Sequence, residues 1–307
     1  MGTTIEVHHL TKDYGGFTAL HDISFTVEQG EVMCLLGPNG AGKTTTTEIL
    51  EGYRDRTSGA VRVLGFDPGR HERAFRARIG IVLQECGVQD DLTVGEVLDM
   101  YGSYAPRRLA TADVLRLVEL DAKTGDRVRH LSGGQRRRLD VGLALVGDPD
   151  LIFLDEPTTG FDPAARRASW SMIRSLTALG KTVLLTTHFM DEAQALADRI
   201  AVVAGGRIIA EGTPETLGGR DRGHTVVEAT LPDGVTAERL PDFGDAMVEL
   251  NDRALRIETS DGVRDANTLT GWSLSTGMTL GRLTVHQPSL EDIYLTLTDP
   301  NALETAR

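Results

Sequence analysis

An α/β fold with a small α+β domain appended is what the sequence predicts, and three observations carry it. A buried strand at 32–36 runs straight into a glycine loop and then a helix. A second apolar strand, at 151–154, ends in two adjacent carboxylates, Asp155 and Glu156. Around these two strands, period-two and helical patterns alternate, as they do where helices cover the faces of a mostly parallel sheet.

Residues 5–7 and 23–27 alternate apolar and polar side chains, the mark of half-buried strands. The run Val32-Met33-Cys34-Leu35-Leu36 is apolar throughout and predicts a fully buried strand. A helix is expected from about Lys43 to Leu50, and residues 61–64 are expected to continue the sheet. From about 91 to 145 the patterns are mostly helical, with turns near 102–106 and 121–125, so a helical lobe at about 88–146 is expected as an insertion. Strand signals return at 151–154, 183–186 and 200–203, with helical stretches at 163–178 and 190–197 between them. Gly218-Gly219-Arg220-Asp221-Arg222-Gly223 reads as a linker, which divides the chain into 1–220 and 221–307. Beyond it, strand-like runs at 226–231, 246–250, 255–257 and 280–285 surround two weaker helical segments.

The bulk properties narrow the function classes. A chain of 307 residues, 40% hydrophobic and 25% charged, has the makeup of an ordinary globular protein with a real core. A net charge of −13 argues against a general nucleic-acid binder, which usually carries a basic face. No apolar run approaches the roughly 20 residues that span a bilayer, and the N-terminus lacks a charged-then-apolar leader, so a cytoplasmic location is expected. The two cysteines, Cys34 and Cys86, do not suggest a disulfide framework.

Three segments carry chemistry. Gly37-Pro38-Asn39-Gly40-Ala41-Gly42-Lys43-Thr44 has the spacing G-x-x-x-x-G-K-[ST] between a strand and a helix. Its glycines let backbone N–H groups converge, and the following helix adds its positive end, which together hold anionic phosphate. Lys43, one of four lysines, supplies a mobile cation, and Thr44 a hydroxyl for Mg²⁺. Asp155 and Glu156 stand at a strand end, where an α/β sheet presents its ligand site. Alone, the two acids could simply cap the strand before Pro157. Behind a phosphate loop they read as a metal ligand, Asp155, and a general base, Glu156. Leu131-Ser132-Gly133-Gly134-Gln135 opens a helix and exposes donors at its N-terminus, a second anion-shaped site. A lone S-G-G would be an ordinary helix cap; two phosphate-shaped sites in one chain need a common explanation.

Together these segments resemble the ATP-binding cassette (ABC) family over about residues 3–216. The resemblance implies a P-loop NTPase cassette that binds ATP with Mg²⁺ and hydrolyses it. It also implies two cassettes meeting head to tail, in which Leu131, Ser132, Gly133, Gly134 and Gln135 complete the ATP site of a second subunit. Carried over residue by residue, Tyr14 is the aromatic that stacks on adenine. The loop from Gly37 to Thr44, with Thr45, holds the phosphates. Thr44, Gln84 and Asp155 serve the metal. Glu156, His188 and Gln84 serve the attacking water, and Asp162 is a dimer contact. A leucine is commoner in the family where Phe161 stands. The run Arg136-Arg137-Arg138 reads as a solvated helix face.

A finer resemblance is to the daunorubicin-resistance type of exporter ATPase. It rests on Thr45-Thr46-Thr47-Glu48-Ile49-Leu50-Glu51-Gly52, on 131–138 with Leu139, on Thr158-Thr159-Gly160-Phe161-Asp162-Pro163, and on the tail Pro288-Ser289-Leu290-Glu291-Asp292-Ile293-Tyr294-Leu295. That group pairs the cassette with a separate membrane permease. The 86 residues at 45–130 leave no room for the long coiled-coil arm of DNA-repair relatives, and only one cassette is present, unlike most translation-factor relatives. The expectation is therefore a drug or antibiotic exporter ATPase, peripheral at the cytoplasmic membrane face through its permease. A soluble mechanical ATPase or regulator without a membrane partner, and a lipid or polysaccharide exporter ATPase, remain as alternatives.

Overall fold

The computed structural model describes residues 2–82, 87–218 and 225–298. The chain divides into two compact units, Met1–Pro214 and Glu215–Arg307. The first unit runs β1 (Thr3–Asp13), β2 (Thr18–Glu28), β3 (Val32–Leu36), α1 (Lys43–Glu51), β4 (Ser58–Val63), α2 (Arg73–Arg76) and β5 (Ile79–Val82). It continues through α3 (Val94–Ser103), α4 (Thr111–Leu117), α5 (Gly133–Leu145), β6 (Leu151–Asp155), α6 (Pro163–Ala178), β7 (Thr182–Thr187), α7 (Met190–Leu196), β8 (Arg199–Ala204) and β9 (Arg207–Gly212).

The central sheet has the order β5-β6-β7-β3-β8-β9, parallel except for the antiparallel edge strand β9. Its inner strands are apolar on both faces because both faces are covered. Residues 61–64 do not continue it. They belong to β4 in a separate antiparallel sheet, β2-β1-β4. In β4, Val61 and Val63 are buried while Ser58, Gly59, Ala60 and Arg62 are exposed, as befits a sheet wet on one side. One core joins the sheets: Ile5, Val7, Leu10 and Val27 from the smaller one, Leu35, Phe153 and Leu184 from the larger, and Ile49 and Leu50 from α1.

The helical lobe is α3, α4 and α5. Thr93 and Glu96 form a reciprocal capping box that starts α3. Gly142 lets α5 approach its neighbours: a Cβ there would lie 3.3 Å from Val114 and 3.4 Å from Leu98. Among the described residues, no helix is long and apolar enough to cross a membrane.

The second unit is a four-stranded antiparallel sheet, order β11-β12-β10-β13, built from β10 (Thr225–Thr230), β11 (Met247–Asn251), β12 (Ala254–Thr259) and β13 (Leu283–His286). Helix α8 (Gly262–Thr276) contributes Leu269, Ala266 and Trp272 to a core with Val227, Leu255 and Ile257. The tail helix α9 (Leu290–Thr298) is tied to β12 by the Arg256–Asp292 ion pair, 3.0 Å.

Candidate nucleotide site

The loop after β3 is shaped by close approach. A Cβ on Gly37 would fall 2.2 Å from the Val203 carbonyl oxygen, so only glycine fits. Gly42 caps α1 at φ 107°, a left-handed conformation that side chains resist, and a Cβ there would lie 2.6 Å from Leu20. Ala41 packs into the core, while Asn39, Gly40 and Thr44 stay exposed and Thr45 half-buried. Lys43, 5% exposed, donates to the carbonyls of Gly37 (2.7 Å) and Pro38 (3.1 Å). Burial pushes its ammonium below the usual lysine range, against the opposing pull of Glu156 and Asp155.

The carboxylates arrive from β6. Thr186, in the adjacent strand β7, donates its hydroxyl to Asp155 Oδ1. Glu156 adopts φ 44°, unusual for a side-chain-bearing residue, and its N–H donates to the Thr186 carbonyl at 3.0 Å. Its Oε1 lies 3.1 Å from His188 Nδ1 and 3.7 Å from Lys43 Nζ, and Thr159 Oγ1 donates to Oε2 at 3.1 Å. Partial burial raises the Glu156 pKa, but the hydrogen bonds from His188 and Thr159 and the charges of His188 and Lys43 outweigh it. The net direction is downward.

A cleft of about 470 Å³ is lined by Tyr14 and Phe17, by the loop residues Asn39, Gly40, Lys43 and Thr44, and by Asp155 and Glu156. The Tyr14 ring, 45% exposed, has Lys12 Nζ 4.9 Å and Arg54 5.4 Å from its centroid. Gln84 lies outside the described residues.

The second anion-shaped site is elsewhere. Ser132 Oγ accepts from the Gln135 N–H (3.3 Å) while Gln135 Oε1 accepts from the Ser132 N–H (2.9 Å), a capping box that starts α5. A Cβ on Gly133 or Gly134 would meet open space. Leu131 is half-buried just before them. This end of α5 lines a separate cleft of about 530 Å³ with Asp162, Phe161 and Thr159, and Glu156 borders both clefts. Asp162 Oδ1 accepts from the N–H groups of Ala164 (2.8 Å) and Ala165 (2.9 Å), so it caps α6. The arginine run is not a uniformly solvated face. Arg136 pairs with Asp90 and Arg138 with Glu119, but Arg137 is buried, because α5 turns it inward against the end of β6.

Several supporting residues carry no sequence signal. Glu192, fully buried, accepts from Thr158 Oγ1 (2.7 Å) and Trp170 Nε1 (3.1 Å) and braces the loop after β6. Glu51 at the end of α1 is buried near Asp155, and its carboxyl is pushed up to about 8 by burial, then by the charges of Asp155 and Glu48. In a pattern, each looks like an exposed helix carboxylate. Phe17, three residues after Tyr14, could have been found as an aromatic in a glycine turn.

The donor set fits Mg²⁺ held together with phosphate. The Thr44 hydroxyl and Asp155 offer hard oxygen ligands at the cleft. Among the described residues, no group of three or more His, Cys, Asp or Glu could hold a metal alone. Such a geometry suits an ion whose remaining ligands come from substrate and water.

A parallel sheet with a phosphate loop after one strand and paired acids after another defines a nucleoside-triphosphate hydrolase. The family model described as ABC transporter matches residues 20–159, and one for the C-terminal domain of ABC transporter domain-containing proteins matches residues 225–289. The chain is 40% identical over 299 residues to Nod factor export ATP-binding protein I of Rhizobium johnstonii, covering 96% of this chain and 94% of that protein. It is 45% identical over 236 residues to the protein of the same name from Paraburkholderia xenovorans, covering 75% and 78%. Among solved structures it resembles cbiO1 of Clostridium perfringens, part of the ABC transporter complex cbiONQ, with TM-score 0.64 and 26% identity over 70% of this chain and 90% of that one. It also resembles the ADP conformation of an ATP-binding cassette of an ABC transporter, with TM-score 0.63 and 26% identity over 70% and 92%. The chain belongs to the ABC transporter family as an ATP-binding subunit. It is an ATPase that uses ATP with Mg²⁺ to power transport.

Proposed function

We propose that this chain energises export through a separate membrane permease, from the cytoplasmic face, as one of two cassettes that close on ATP. The observation that carries the export reading is the full-length similarity to proteins named for Nod factor export, which spans both units. A groove of about 860 Å³ between the lobe and the central sheet supports the permease reading. Tyr53, Tyr101, Tyr104 and Val88 line it, and Tyr104 is 76% exposed, which suits a helix end of mixed polarity.

In this reading catalysis is positioning plus charge stabilisation. The loop amides and Lys43 hold the phosphates, and Tyr14 takes the base. Thr44 and Asp155 would hold Mg²⁺, which when bound neutralises charge developing on the phosphates. Glu156, kept ionised, accepts the proton of the attacking water, and His188, 3.1 Å away, fixes its carboxylate. Ser132, Gly133 and Gly134 of a second copy close the far side of the site. That role fits the position of Gly133 and Gly134, which line a second cleft with Asp162 and Glu156.

Drug or antibiotic efflux is the first reading for cargo. The names of the relatives favour a second, in which the cargo is of the kind those relatives export. The test is co-expression with the membrane protein encoded beside this gene. The chain should then fractionate with membranes and drive ATP-dependent uptake of an anthracycline into inverted vesicles. Retention without uptake would favour the second cargo class. A chain that stays in the supernatant with the permease present would sink the reading that it is held at the membrane by that permease.

A further inference from the structure

Arg137 lies in the first turns of α5, five residues after Ser132. It is 8% exposed, unlike its neighbours in the arginine run. Its Nε donates to the Pro157 carbonyl and its Nη2 to the Asp155 carbonyl, both at 3.3 Å. Those carbonyls belong to the residues on either side of Glu156. A guanidinium is a rigid planar fork, so it can fix two acceptors at once, which a lysine ammonium on a flexible stem does poorly.

The residue so bracketed is the one with φ 44°. A non-glycine residue in the left-handed region is strained and persists only where the surroundings over-determine it. On the β7 side, the Thr186 carbonyl holds the Glu156 N–H. On the α5 side, Arg137 holds the flanking peptides. The carboxylate then reaches His188 and Thr159 from a backbone clamped on both sides.

We propose that Arg137 is a positioning residue for the hydrolytic base, aiming Glu156 from the helix that begins at Ser132. The inference rests on the reading that Glu156 is the base and that the start of α5 faces a second subunit's ATP. One side chain then ties the half-site offered to a partner to the base of the chain's own site.

The experiment is steady-state ATP hydrolysis by the full chain, in whichever form turns over faster, alone or with its permease. Arg137→Met, which keeps bulk but donates nothing, should lower kcat at least tenfold with KM for ATP within about twofold. Arg137→Lys should lie between the two, since it can satisfy one carbonyl at a time. A folded Met variant with kcat within twofold of wild type would overturn the proposal, as would a KM that rises in step with the loss. If the Met variant does not fold, the Lys variant decides: wild-type kcat overturns the proposal, and a threefold or larger fall at unchanged KM supports it. Glu156→Gln run in parallel separates the two failures. Near-normal turnover there removes the base assignment itself, whereas an inactive Glu156→Gln beside a normal Arg137→Met removes only this inference.

Discussion

Glu156 receives contacts from the residue after β7, from the loop after β6 and from the phosphate loop: His188, Thr159 and Lys43 all reach its carboxylate. Replacing it with Gln keeps the shape and removes the proton acceptor. We expect kcat to fall by roughly 10²–10⁴-fold, the usual span for a general base, with ATP affinity by calorimetry retained. Glu51 gives a different signal. Its folded pKa, about 8, lies above its ordinary value of 4.5, so the folded chain keeps a proton that the unfolded chain releases. Its stabilising contribution is complete below the lower value and is lost as pH rises to the upper one, at up to about 1.4 kcal/mol per pH unit. Glu51→Gln should therefore match wild type in denaturant midpoint near pH 4 and grow relatively more stable up to pH 8. Parallel curves across that range would remove Glu51 as the cause. Lys43, Asp155 and Glu156 were legible because phosphate chemistry dictates their types and spacing, whereas His188 came only from the family resemblance. Glu51, Glu192 and Arg137 were not, because only tertiary packing turns an ordinary helix charge inward.

At the scale of elements, the helix at 163–178 was legible to the residue because Asp162-Pro163 is both an N-cap and a preset first turn. That same cap complicates the expected dimer role of Asp162. Asn caps about as well as Asp, whereas Ala loses about 1 kcal/mol. Asp162→Asn should unfold within about 0.5 kcal/mol of wild type by chemical denaturation; if the charge serves the dimer, it should still weaken ATP-dependent association. Unchanged association would leave Asp162 a cap only. Strands β5 and β9 were missed. Ile79-Gly80-Ile81-Val82 is four residues long, with a glycine that nestles against the Ala144 carbonyl. Strand β9 is an edge strand whose residues are nowhere fully buried, so its alternation is weak. The β4 error has a different origin: alternation reveals a strand but not which sheet it joins.

For the whole molecule, the charge of −13 bears on assembly. Two copies repel at long range, an effect that salt screens within about 10 Å at 0.1 M. If ATP bridges the loop of one copy and the Ser132 end of another, Glu156→Gln protein should sediment as a monomer without nucleotide and as a dimer with ATP and Mg²⁺. The same oligomeric state in both conditions would falsify the bridged dimer. The division of the chain follows the same logic of separate cores, one around Phe153 and one around Leu269. The sheet order also places β7 between β3 and β6, with Thr186 opposite Leu35 on one side and Asp155 on the other. Strand β7 is thus a ruler. It holds the phosphate loop and the carboxylates two inter-strand steps apart, roughly 10 Å. Its alternation decides what stands at that midpoint. A slip of one residue would set Leu185 beside Asp155 and turn every neighbour to the opposite face. The polar contacts of the site are therefore aligned by hydrophobic registration deep in the sheet, and a mutation that loosens Val183 or Leu184 should blur the hydrolytic geometry without touching a single catalytic group.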